Sequence, residues 1–111
     1  MATRAVLAFL IALPCLSCGD DEPPSEDEIR EDFARVVARS NSCSDVTECV
    51  LVYPGCPLGC YVAVNQSSAA DVEERAEELI ADYQSAGRSC DYGCREAPPL
   101  ECTDSRCTLA E

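Results

Sequence analysis

The sequence predicts a small, disulfide-rich α+β domain with two amphipathic helices, a short antiparallel strand pair and a C-terminal hairpin. Three observations carry that expectation. Eight cysteines fall between Cys43 and Cys107, two segments repeat apolar residues at helical spacing, and two β-branched runs are interrupted by turn residues.

The first helix comes from SEDEIREDFARVVARS. Ser25 with Glu28 three places on makes a capping box, in which each side chain satisfies a free backbone donor of the other. Ile29, Phe33, Val36 and Val37 form one apolar stripe. Acids crowd the first turn and Arg39 sits in the last, the arrangement a helix dipole favours. The second helix is expected from about Ala69 to Ala86, capped by Ser68 with Asp71 three on and ended by Gly87. Val72, Ala76, Leu79, Ile80 and Tyr83 make its buried face, while Glu73, Glu74, Glu77 and Glu78 face water.

Between the helices, CVLVYPGCPLGCYVAVN reads as strands from Cys49 to Tyr53 and from Tyr61 to Val64, joined by a rigid loop. The terminal LECTDSRCTL reads as a hairpin turning at Asp104-Ser105. Alternation sets Leu100, Cys102, Cys107 and Leu109 on one face, with Cys102 opposite Cys107. A direct bond between those two is open, and so is each bonding elsewhere.

The first 24 residues have another character. After a short positive end, Ala5 to Leu13 is an unbroken apolar run of nine residues. A membrane span needs about 20, so this run fits a signal peptide instead. Leu16-Ser17-Cys18 then resembles the lipobox of bacterial lipoproteins, in which a small residue precedes a cysteine that is lipidated and becomes the mature N-terminus. Cys15 stands where that family favours leucine. Cysteine parity agrees with the resemblance: of ten cysteines, cleavage removes Cys15 and lipidation occupies Cys18, which leaves an even eight. The chain thus divides into a signal peptide (1–17), a lipidated cysteine with an acidic tether (18–24) and a disulfide-rich domain (25–111).

In layout the chain is similar to small cysteine-rich lipoproteins of Gram-negative bacteria. That resemblance implies attachment to a membrane through an N-terminal lipid such as palmitate. Gly19, beside the anchor, resembles the sorting context of outer-membrane lipoproteins. The portion from Cys18 onward carries seven arginines, no lysine and 21 acids, a net charge of −14. Such a surface repels nucleic acid and anionic head groups, so no nucleic-acid partner is expected.

The eight cysteines are Cys43, Cys49, Cys56, Cys60, Cys90, Cys94, Cys102 and Cys107. Cys56/Cys60 and Cys90/Cys94 share the spacing C-x-x-x-C, loosely compatible with a zinc site. Export to an oxidising compartment favours four disulfides instead, and no metal or cofactor is expected. The eight contain no C-x-x-C redox pair. Only one phenylalanine and four tyrosines lie beyond residue 25, so crosslinks must reinforce a sparse core. Eight cysteines allow 105 pairings, and spacing does not choose among them.

The chain has no histidine and no lysine, which excludes Ser-His-Asp, Cys-His and Schiff-base chemistry. A carboxylate hydrolase remains conceivable, but the acids sit mostly on solvated faces. The expected function is therefore non-catalytic: a binding or structural module at the envelope, partnered by an envelope or extracellular protein. The alternative is a peptidase inhibitor presenting residues 54–60. Pro57, Leu58 and Tyr61 are the candidate binding residues there, with Leu58 as apolar anchor, unless Leu58 folds inward to fill the core.

Overall fold

A computed structural model of the chain describes residues 22–110. The signal peptide, Cys18 and most of the tether lie outside the described residues. The elements run α1 (Glu26–Arg39), β1 (Cys49–Val52), β2 (Val62–Asn65), α2 (Ala69–Ser85), β3 (Leu100–Thr103) and β4 (Arg106–Leu109), with single 3-10 turns at Val46–Glu48 and Gln66–Ser68. This is the expected α+β, disulfide-rich architecture.

The organising feature is the β1–β2 ladder, which is antiparallel and pairs Val50 with Val64 and Val52 with Val62. Successive side chains on a strand point to opposite faces. One face therefore carries the four valines, and α1 and α2 pack on it. Ile29, Phe33, Val36, Val72, Ala76, Leu79 and Tyr83 join Val52 and Val64 in a single buried cluster. The opposite face carries Cys49 and Ala63, which are buried with Cys43 and Cys107 against Leu100, Cys102 and Leu109 of the hairpin. Helices and hairpin thus sandwich a two-stranded ladder.

α1 begins as expected: the Ser25 hydroxyl oxygen accepts a hydrogen bond from the Glu28 backbone N–H at 3.2 Å. α2 begins differently. Ser68 already has helical torsions and makes no side-chain cap. Asn65, at the end of β2, instead caps the preceding 3-10 turn by accepting from the Ser67 N–H. The turn feeds directly into α2, so the capping role moves upstream to the residue whose backbone is still extended. Gly87 ends α2 as expected, with φ +77° and its N–H bonded to the Gln84 carbonyl.

β1 starts at Cys49 as expected but ends one residue earlier, at Val52, and β2 is shifted one residue later, to Val62–Asn65. The hairpin turns at Asp104-Ser105, both with positive φ (53° and 62°), the torsions a two-residue turn of this hand requires. Residues 41–43 lie alongside β4, where Cys107 N–H donates to the Asn41 carbonyl and Cys43 N–H to the Ser105 carbonyl.

All eight cysteines in the described residues are paired: Cys43–Cys102, Cys49–Cys107, Cys56–Cys90 and Cys60–Cys94. Cys102 and Cys107 are cross-strand partners sharing a face, as alternation predicts, yet they are not bonded to each other. Each reaches across to the ladder side instead. The first two bonds join the hairpin to β1 and the strand-like segment before it. The other two join the loop after β1 to residues 86–99, where the chain runs without regular secondary structure.

Candidate functional site

The loop between β1 and β2 is built from the inside. Gly55 and Gly59 face each other across it, with Gly55 N–H bonded to the Gly59 carbonyl and Leu58 N–H to the Gly55 carbonyl. Both glycines have positive φ, which L side chains rarely tolerate. The Cys56–Pro57 peptide bond is cis. Cys56 and Cys60 do not clamp the loop to itself. They bind it to Cys90 and Cys94, so two C-x-x-x-C segments lie rung to rung.

The three candidate binding residues have different fates. Pro57 is fully buried. Its carbonyl accepts from Arg30 Nε at 3.1 Å and from the Tyr92 hydroxyl at 3.2 Å, which docks the loop onto α1 on one side and onto the irregular segment on the other. Leu58 is half-buried and packs against the main core. Tyr61 is half-buried, its hydroxyl donating to the Arg95 carbonyl and its ring edge-on to Tyr53 at 6.0 Å. Tyr53 is the large residue that does project, at 58% exposed.

Docking of this loop beside α1 creates a shallow groove of about 360 Å³. Phe33, Ala34, Val37 and Ala38 of α1 form one wall, and Leu58 and Val62 form the other. Arg30 and Asn41 supply its polar lining. The lining has no carboxylate, hydroxyl or thiol. It can receive an apolar group but offers no nucleophile and no carboxyl proton donor. The groove joins Leu58, a residue singled out from sequence, to Phe33 and Val37 of the predicted stripe and to Ala34 and Ala38, which sequence reasoning passed over. The signal for them was present: Ala34 and Ala38 beside Val37 widen the apolar arc of α1 beyond the stripe its core contacts need.

Electrostatics elsewhere are structural. Arg75 bridges the helices, bonding Asp32 at 2.6 Å and Glu78 at 2.8 Å, and its pKa is raised by Glu78 and then by Asp32. The Asp45 carboxyl is held below its ordinary value, chiefly by the Thr47 backbone N–H it accepts from at 2.8 Å. Neither residue lines the groove. The sulfurs of Cys43, Cys49 and Cys107 lie within 4.8 Å of one another, but all three are in disulfides. A metal ligand must be a thiolate, so the oxidised trio is not a metal centre. Among the described residues no helix is long and apolar enough to cross a membrane. No protein-family model, curated protein or solved structure matches this chain.

Proposed function

We propose that this chain is a non-catalytic lipoprotein domain of the bacterial envelope, anchored at the outer membrane through Cys18, that binds an apolar segment of a basic partner protein. The observation that carries the location is the cysteine count. Every cysteine after Cys18 is consumed in a disulfide, which leaves Cys18 as the unpaired one once the leader containing Cys15 is removed. Disulfide-dense small domains belong to oxidising compartments.

The groove between α1 and the loop supports the binding role. Apolar walls select an apolar side chain, and the net negative charge of the chain as a whole favours a partner with positive charge. The peptidase-inhibitor reading has less to stand on. Pro57 is buried and Leu58 rests on the core, so neither projects as an anchor for a peptidase cleft.

Two measurements test this. Labelled palmitate should enter the wild-type protein in a bacterial host and not Cys18→Ala; equal labelling of the variant refutes the anchor. For binding, the oxidised protein and Ala38→Arg are compared in capture from envelope extract at low and high salt. Ala38 is exposed, so the arginine blocks the groove without entering the core. A partner held by the wild type, released by salt and missed by Ala38→Arg is expected. Identical capture by both proteins removes the groove from consideration.

A further inference from the structure

Two of the four disulfides lie side by side. Cys43 is bonded to Cys102, and Cys49 to Cys107, yet the Cys43 sulfur lies within 4.8 Å of both Cys49 and Cys107 sulfurs. No other three cysteines among the described residues come this close. Cys43, Cys49 and Cys107 are buried, whereas Cys102 is only half-buried. Cys102 is therefore the least buried of the four cysteines in these two bonds.

Alternative pairings are within reach. Cys102 and Cys107 are opposed on the hairpin, and the Cys107 N–H points away from β3 to the Asn41 carbonyl. That marks the pair as non-hydrogen-bonded, the closer kind, with Cα atoms about 4.5 Å apart. Disulfides span Cα separations of about 4.4–6.8 Å, so a Cys102–Cys107 bond fits the hairpin as built. The Cys43 and Cys49 sulfurs are already neighbours.

We propose that Cys102 is a thiol-exchange site through which a low-molecular-weight thiol reorganises these two disulfides. The external thiolate attacks Cys102 Sγ; the Cys43–Cys102 bond breaks, and its electron pair leaves on Cys43 as a thiolate. The Cys43 thiolate attacks Cys49 Sγ, forming Cys43–Cys49 and releasing Cys107 as the next thiolate. Cys107 then attacks Cys102 Sγ in the mixed disulfide, forming Cys102–Cys107 and returning the external thiolate. No electrons are gained or lost overall, and the thiol acts as a catalyst. Proximity makes the second and third steps intramolecular.

The exchange changes how the molecule is tied. The native bonds span 59 and 58 residues and fasten the hairpin to the rest of the domain. The exchanged bonds join cysteines six and five positions apart and leave the hairpin with no covalent hold on β1. Thiol exchange at Cys102 thus unfastens the C-terminal hairpin.

The test treats the oxidised protein with reduced glutathione, quenches with acid, blocks free thiols and maps disulfide-linked peptides by mass spectrometry. Cleavage after Arg106 separates Cys102 from Cys107, and cleavage after Glu48 separates Cys43 from Cys49, so the pairings among these four cysteines can be read. The expected result is that, of these four cysteines, Cys102 carries the first glutathione adduct, followed by Cys43–Cys49 and Cys102–Cys107 linkages. A first adduct on Cys43, Cys49 or Cys107, or simple reduction without the new linkages, overturns the proposal. A second measurement uses Cys43→Ala/Cys102→Ala, which removes the entry bond. Its Cys49–Cys107 bond should resist glutathione over the time in which the wild type exchanges; opening at the wild-type rate also overturns it.

Discussion

The two faces of the β1–β2 ladder are built on different principles. On the helix face, four valines meet Ile29, Phe33, Leu79 and Tyr83 in a continuous apolar cluster with no sulfur bond in it. On the hairpin face, the buried side chains are three cysteines and an alanine, and two crosslinks replace bulk. Burying a large aliphatic or aromatic side chain stabilises by about 1.5–3 kcal/mol, and the hairpin face has few to bury. A crosslink acts instead by restricting the unfolded chain. A small chain can thus hold three layers together with enough apolar residues for only one interface.

That contrast can be broken most forcefully on the helix face. Phe33 is a member of that cluster and only 3% exposed. Phe33→Ala should destabilise by about 3–5 kcal/mol, read by denaturant unfolding with all disulfides intact. A loss below about 1 kcal/mol would mean that crosslinks, and not packing, hold the helices as well.

The next effect belongs to the other face. Cys49→Ala/Cys107→Ala should cost about 2–5 kcal/mol. Hydrogen exchange should locate the loss, with amides of Leu100–Thr103 and Arg106–Leu109 losing protection while α1 and α2 keep theirs. Equal loss in the helices would make the two faces one cooperative unit.

A smaller effect sharpens the boundary between them. Asn65 ties three elements: its side chain accepts from Ser67 N–H, donates to the Ser42 carbonyl at 2.7 Å, and its own N–H donates to the Ser40 carbonyl. Asn65→Ala should lower stability by about 1–2 kcal/mol in thermal unfolding. Asn65→Asp should recover part of that, because it keeps the cap and loses only the donor.

The smallest effect is electrostatic. Asp45 has a folded pKa below its ordinary 3.8, so it contributes stability above pH 3.8 that is lost as pH falls through the folded value. The melting-temperature difference between wild type and Asp45→Asn should be steady from about pH 5 to 7 and shrink below about pH 4. A difference that grows in acid would reverse the sign of this interaction.

Much of the fold was legible because local chemistry and global packing agree. The stripe Ile29-Phe33-Val36 and the face Val72-Ala76-Leu79-Tyr83 are buried as their spacing demands. Asp104-Ser105 turns the hairpin because two residues between alternating strands leave few other options. The pairing of cysteines was not legible, since it depends on which ladder face each cysteine takes. Cys49 faces the hairpin because of β1 register, a property of two strands together. Ser68 suits a cap in isolation; the 3-10 turn from Asn65 made it unnecessary. The groove was hidden for a similar reason. Its walls, Ala34–Ala38 and Leu58–Val62, are neighbours only once the Pro57 carbonyl has met Arg30.

The rung-to-rung bonding of Cys56–Cys90 and Cys60–Cys94 has a consequence for survival among proteases. Arg88 and Arg95 lie within the irregular segment and are the natural points for a trypsin-like enzyme to nick it. A cut after either arginine would free nothing. Even with both cut, residues 89–95 remain attached through Cys90 and Cys94, and the C-terminal piece remains attached through Cys102 and Cys107. A nicked molecule would gain the mass of water at each cut and keep every fragment, and only a reductant would reveal the damage.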